Sequence, residues 1–594
     1  MVVGRWRVRD LGCIHAANVS EGCDTSVCPR PARVTIEGGM STIVPQARLR
    51  AEIDALADVA EAIGFGLPGP ARSWRERRRE HLSGVVRRYV EPRLAVPDLP
   101  IVIALFGPTG SGKSTIFNTL AGRTISPAGV LRPTTSRAVA WVHPRHAAAV
   151  QTMAGGEGAV ELVADEHPVL GSITLIDTPD IDSIMEHHRE QTLSILEACD
   201  MAIAVTTPQR YADAVPWEVL GDLSERALDV VVVMNRAARR SSGAVTDLAR
   251  MLREARVGEV ESADDVVVIQ EQRIRADGRL HGYALRRLAG RLESLASRRS
   301  SVTARALAAA VRHCAAVGRE LADEVDAQHR EASALLHVVE EVRSTHVAEV
   351  AERLEAGRLV RDEVVVRWQR MIGLTDLAAL VDRGFARVRN LTRSGSVVPD
   401  PVIDRVDREV VDELAELGVR YAERAATAIE LSWGVSEPGM TLLEGLERVD
   451  VRPEATEAVA AWRSHVVSLV AESGEGSFRV ARMASLGVNA AATLLLLGVF
   501  ASTGGVTGGE VGIVAGAAAA QQTVLERLFG TAAASRLADT ARTELVSRIG
   551  DMIVSATTPY VEALRRLADD PELAERLREQ ASVVESVLGD YVRA

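Results

Sequence analysis

The stretch from Leu99 to Gly122, LPIVIALFGPTGSGKSTIFNTLAG, constrains this chain more than any other. Its apolar run IVIALF reads as a buried parallel strand, and it passes directly into GPTGSGKS, which fits GxxxxGK[ST] and is followed by helical text. Strand, glycine loop and helix in that order make a phosphate cradle. The glycines let backbone N–H groups close around phosphate oxygens, and the helix adds its positive end. Lys113 is expected to reach the β- and γ-phosphates and Ser114 to ligate Mg²⁺. Gly107, Thr109, Gly110, Ser111, Gly112 and Thr115 complete the loop.

Lys113 is the only lysine in the chain, every other basic side chain being arginine or histidine. At an exposed ion pair the two cations exchange cheaply. Inside a closed loop a planar guanidinium cannot replace a compact ammonium on a flexible stem. Together with the motif match, the single lysine therefore marks the loop as a phosphate site.

The rest of the chain bounds what surrounds that site. With 594 residues, 47% of them hydrophobic, it can bury a large core in more than one domain. Aromatic residues are only 3%, so the core must be built from Ala, Val and Leu, which favours packed helices. A net charge of −12 without a long basic tail argues against a nucleic-acid partner. Five scattered cysteines make no disulfide framework, which fits a cytoplasmic setting. Cys13, Cys23, Cys28 and nearby His15 lack a paired CxxC and read as part of an unstructured arm rather than a zinc site.

Residues 1–44 are expected to be a disordered N-terminal extension, with Met40 as the better protein start. Residues 45–98 read as two amphipathic helices broken by GLPGP. SITLIDT, MAIAVTT, LDVVVVMN and DDVVVIQ are further β-branched runs separated by helical text, so residues 99–296 are expected to form an α/β domain with a mostly parallel sheet. Residues 297–594 lack such runs. No proline occurs between Pro216 and Pro399, and Ala/Glu/Arg/Leu/Val text from about residue 298 to 371 predicts long helices, with more at about 402–433, 454–472, 531–567 and 571–592.

One segment of that all-α region differs from the rest. Residues 483–525 form an apolar hairpin, uncharged from Met483 to Gly509 and turning at Gly504, Gly505, Gly508 and Gly509. Its first arm is long enough to span a bilayer core, its second is short, and Arg479, Arg482 and Arg527 flank it. Membrane insertion and burial in a helical core are both open at this point.

GKSTIFNTLAG resembles the GKSTxxNxLxG opening of Era-like, septin-like and dynamin-like GTPases. RPTTSR resembles their first switch, which makes Thr135, or else Thr134, the threonine that closes over Mg²⁺ and the γ-phosphate. IDTPD resembles their DTPG, so Asp177 is expected beside the metal with Ser114, and the backbone N–H of Asp180 toward the γ-phosphate. Here the carboxylate of Asp180 stands where glycine is expected, Asp182 adds another acid, and Ile181 stands where Ras-like proteins place a water-orienting glutamine. Asn235-Arg236-Ala237-Ala238 stands where NKxD is expected, so Asn235 and Arg236 match while the base-reading aspartate is absent. GTP with Mg²⁺ is implied by the resemblance, and ATP remains open.

The whole layout, with helices before the nucleotide domain, a stalk-like helical region after it and an apolar hairpin, resembles bacterial dynamin-like GTPases. The resemblance implies a weak or partner-assisted GTPase that pairs through its nucleotide domains as a homodimer or homo-oligomer. It also implies lipid contact through residues 483–525, at the inner face of the cell membrane. The competing expectation is a slowly hydrolysing soluble switch that acts on a protein through its helices. An ABC-type ATPase is disfavoured because no LSGGQ-type signature follows the loop, and a small kinase by the NxLxG continuation.

Overall fold

The computed structural model describes residues 40–67, 72–96, 98–127, 137–156, 158–182, 186–238, 241–356, 359, 401–472, 492, 495, 499, 529–567 and 570–593. It begins with α1 (Met40–Glu61), so residues 40–44 of the expected disordered extension are helical. Leu49, Ile53, Leu56 and Ala60, spaced by three or four, are its buried stripe. α2 (Arg72–Val85) continues through a π-helical turn, Val86–Val90, into α3 (Glu91–Ala95).

A seven-stranded sheet follows, built from β1 (Ile101–Phe106), β2 (Ala138–Val142), β3 (Val160–Ala164), β4 (Ile173–Asp177), β5 (Met201–Thr206), β6 (Asp229–Ala237) and β7 (Val267–Gln270). Its order is β3-β2-β4-β1-β5-β6-β7, and only the β2–β4 pair is antiparallel. The five apolar runs of the sequence are β1 and β4 to β7; β2 and β3 extend the sheet beyond them. Interleaved are α4 (Lys113–Leu120), α5 (Ala147–Met153), α6 (Glu186–Glu197), α7 (Ala214–Glu225), α8 (Ser242–Glu254) and α9 (Arg286–Ser297).

Successive residues of a strand face opposite sides, and β1 uses both. Ile101, Ile103 and Leu105 share a core with Ile116 and Phe117 of α4 and Leu288 and Leu292 of α9. Val102, Ala104 and Phe106 belong to the other core, which also takes in α1 and α2. The first part of α10 (Arg299–Glu355) and the last described helix, α15 (Glu572–Arg593), complete that core. Helices from both ends of the chain therefore cover one face of the sheet.

Two polar clusters, one buried and one half-buried, fix those helices to it. Beneath α3, Arg93 pairs with Asp200, whose carboxylate also accepts from Tyr89 Oη and the Val102 N–H, both at 2.7 Å. Further out, Glu197 at the end of α6 pairs with Arg88 and accepts from His81 Nδ1 at 3.0 Å. His81 Nε2 in turn lies 3.0 Å from Nε2 of His313 on α10.

α10 has 57 residues, about 85 Å of helix at 1.5 Å per residue. Its distal part leaves the sheet and packs with α11 (Pro401–Trp433), α12 (Glu437–Glu444), α13 (Arg452–Glu472) and α14 (Thr531–Leu567). Trp462 on α13 donates to the Ala541 carbonyl of α14 at 2.8 Å, and Trp433 donates to Leu335 of α10 at 3.2 Å. The hairpin at 483–525 lies outside the described residues except for Ala492, Leu495 and Val499. Those three, at helical spacing, are buried in the core of α11, α13 and α14, and Arg542 Nε donates to the Val499 carbonyl at 3.1 Å. Among the described residues no helix is long and apolar enough to cross a membrane.

Candidate nucleotide-binding site

The register of the parallel strands gathers the site at one edge. Leu105 of β1 lies opposite Asp177 of β4, Phe106 opposite Ala204 of β5, and Thr206 opposite Met234 of β6. The glycine loop, Asp177 and Asn235 thus emerge side by side, in the crevice where open α/β sheets bind ligands.

Residues 107–112 make the turn from β1 into α4. Gly107 has φ of +148°, and a Cβ there would collide with the Val205 carbonyl oxygen. Gly110 and Gly112 have φ of +77° and +95°, and a Cβ on Gly112 would strike the Asn235 amide. A side chain at 107 would have to displace the β5 backbone, and one at 112, where the backbone conformation favours glycine, would displace the Asn235 amide. Asn235 Nδ2 donates to the Ser111 carbonyl at 2.8 Å and braces the loop from β6. Arg236 follows in the left-handed region with φ of +57° and an exposed side chain.

Lys113 opens α4 and is almost completely buried. Its ammonium donates to the Gly107 carbonyl at 2.9 Å and is ion-paired with Asp180. The sequence led to the expectation that the backbone of Asp180 faces the nucleotide; the structure adds that its carboxylate lies on the loop lysine. Ser114 and Thr115 stand in the first turn of α4. Thr135 and Thr134 lie outside the described residues.

Asp177 is fully buried, its Oδ2 accepts from Ser126 Oγ at 2.6 Å, and its Oδ1 has no hydrogen-bond partner. Burial pushes its carboxyl above the usual range, against hydrogen bonds from Ser126 and Ser114 and the charge of Lys113. A buried carboxylate with one oxygen unused, beside a serine hydroxyl, suits a hard divalent cation, which takes one or two protein oxygens and completes its shell with phosphates and water. The residues present therefore fit Mg²⁺ at Ser114 and Asp177.

The sequence placed Asp182 as an extra acid without a partner, and Arg210 of the mouth escaped the sequence reading altogether. Asp182 Oδ1 accepts from both the N–H and the hydroxyl of Thr109, each at 2.7 Å, and its Oδ2 accepts from Arg210 at 2.6 Å. Arg210 also donates to the Thr109 carbonyl at 2.8 Å and to Asp213 at 2.7 Å. Burial raises the Asp182 carboxyl, but the bonds from Thr109 and Arg210 outweigh it and the net shift is downward. The available signal for Arg210 was position alone: TTPQRYAD follows β5 at the end of the sheet where ligands bind.

Residues 102–236 match the family model of the 50S ribosome-binding GTPases. No curated protein matches the chain. Among solved structures it is similar to two from an oligomerised bacterial dynamin pair described as a mechanism for long-range sensing and tethering of membranes. One is 11% identical over 92% of this chain and 95% of its own, with a TM-score of 0.40. The other is 12% identical over 92% and 94%, with a TM-score of 0.36. The family match spans the loop, Asp177 and Asn235, all set at one edge of the sheet, and on that ground the chain carries a P-loop GTPase domain.

Proposed function

We propose that the protein is a dynamin-like GTPase that binds and hydrolyses GTP with Mg²⁺, pairs with a second copy through its nucleotide domain, and transmits the change along α10 to a membrane-binding or membrane-remodelling helical region. The observation that carries this reading is the loop from Gly107 to Ser114 with its buried lysine, joined through α6 and α10 to a helical arm. The loop's backbone and Lys113 would bind and orient the phosphates. Mg²⁺ held by Ser114, Asp177 and Thr135 would neutralise phosphate charge. Asn235 would keep the loop in shape and Arg236 would lie over the base. Base choice then rests on groups other than an aspartate at position 238, which is alanine.

Titration of the purified protein with GTP, ATP and their diphosphates, with and without Mg²⁺, tests the nucleotide claim. Tighter GTP than ATP binding is expected, and no binding of either overturns it. Sedimentation with anionic liposomes tests the membrane claim. Nucleotide-dependent pelleting, abolished by serines at Leu494–Leu497, is the expected result.

A second reading, a slowly hydrolysing switch for a protein partner, is supported by the burial of Ala492, Leu495 and Val499 in the helical core and by the Asp180–Lys113 pair. Protein that stays in the supernatant with and without GTP would favour it.

A further inference from the structure

Two cations described at the loop mouth are each held by a carboxylate from one short segment. Lys113 holds Asp180, and Arg210 holds Asp182, two residues further on. The arrangement is not a surface accident: the Lys113 and Asp180 side chains are 4% and 15% exposed, and Asp182 is 17% exposed. Asp182 also takes the Thr109 N–H, a loop donor that faces the mouth beside Gly110. The segment thus presents two anions to the loop with the spacing and the donors that an anionic ligand would use. A guanidinium has five N–H groups, and the bonds to Thr109, Asp182 and Asp213 engage all three of its nitrogens while leaving part of its fork toward solvent at 34% exposure.

We infer that Arg210 is a terminal-phosphate ligand supplied by the chain itself, and that Asp180 and Asp182 are internal anions which the γ-phosphate of a nucleoside triphosphate displaces from Lys113 and Arg210. The inference rests on the nucleotide reading above and deepens it. Arginine is suited to the role because its fork meets phosphate oxygens in pairs and stays charged at any working pH. A diphosphate ends one phosphate short and leaves the Arg210–Asp182 pair in place. The exchange therefore distinguishes the two nucleotides. It also releases residues 180–182, which lead into α6, and α6 ends at Glu197 against His81 and Arg88 of the flanking helices. Loss of the Asp182 contact is thereby transmitted to the helices that continue away from the nucleotide domain.

The test compares GDP with the non-hydrolysable analogue guanosine imidotriphosphate on the full chain, by calorimetry. Arg210→Ala should weaken the triphosphate analogue about tenfold or more while GDP affinity changes little, because charge-assisted hydrogen bonds to a phosphate are stronger than neutral ones. Asp182→Asn keeps an acceptor for Thr109 but removes the competing charge, and should shift the triphosphate-to-diphosphate ratio the opposite way. Opposite signs from two members of one ion pair are not expected of a structural clamp. Retained GDP binding in each variant shows that the domain is folded. Equal losses for both nucleotides in both variants, or an unchanged ratio, overturn the inference and leave the nucleotide reading intact. Failure of the wild type to bind either nucleotide overturns both.

Discussion

The ammonium of Lys113, the chain's only lysine, is ion-paired with Asp180, the residue that stands where this kind of second switch has glycine. Both side chains are largely withdrawn from water, so the pair is a competitor that any phosphate must displace rather than a screened surface contact. Replacement of the competitor should be measurable. Asp180→Asn is expected to tighten nucleotide binding by roughly 1–2 kcal/mol, about five- to thirtyfold, by calorimetric titration. Weaker binding in that variant would mean that the carboxylate assists the nucleotide instead of opposing it.

Lys113→Ala should abolish nucleotide binding while leaving the helical circular dichroism unchanged, since among the described residues its ammonium bonds to loop carbonyls and Asp180. Lys113→Arg is expected to fail as well, because the broad guanidinium has no room in a pocket where the lysine is 4% exposed. Wild-type affinity in either variant would remove the phosphate-loop assignment.

Arg93→Ala should destabilise the protein by about 3–5 kcal/mol in chemical denaturation. The change leaves the buried Asp200 carboxyl, already raised by burial, with Tyr89, the Val102 N–H and the charge of Arg226 but without its ion-pair partner. Replacing Arg93 and Asp200 together by apolar residues of similar volume should recover much of the loss. A cost below about 1 kcal/mol for Arg93→Ala alone would show that Asp200 is not held by that charge.

His313 should make stability fall as pH drops. Burial first, then the charges of His81, Arg78 and Arg226, lower its pKa from 6.5 to about 3, against a hydrogen bond at the Glu225 backbone that raises it. Around this ring α2 presents Arg78 and His81, α6 presents Glu197, and the end of α7 presents Glu225 and Arg226. The unfolded chain takes up a proton near pH 6.5 and the folded ring does not until about pH 3, so the unfolded state binds more protons between those values. The contribution is complete above pH 6.5 and is lost progressively below it. His313→Gln should flatten the denaturation midpoint between pH 7 and 5; an unchanged slope would place the titration elsewhere.

The long apolar strands and the glycine loop were legible in the sequence because their signal is local. The runs IVIALF, ITLID, MAIAVT and DVVVVMN need no partner to be read as strands, and GPTGSGKS carries its geometry in its glycines. AVAWV and VELVA were not read as strands. β3 is a short edge strand, and β2 is aligned by antiparallel pairing of Val139 with Asp177, a contact that no local pattern encodes. α12 was hidden for a related reason: GVSEPG reads as a break, yet Ser436 caps the helix by accepting from the Gly439 N–H, and Pro438 sits in its first turn. In the site, spacing gave Asp180 its place in the chain but not the direction of its carboxylate. Arg210 belongs to a loop without periodicity and became visible only once β5 set it beside Thr109.

The pairing of α1 with α15 has a consequence for how the protein is made. Gln580 Nε2 donates to the Glu52 carbonyl at 2.9 Å, a contact spanning 528 positions. At elongation rates of roughly 5–20 residues per second, α1 waits about 25–100 s for its partner to be synthesised. Throughout that interval Leu49, Ile53 and Leu56 lack the cover that Leu577, Ala581 and Val584 later supply, and one face of the nascent nucleotide domain stays incompletely sealed. Closure of such a distant pair is slow and exposes apolar surface to aggregation, so the yield of folded protein should depend on a chaperone holding α1 until α15 arrives.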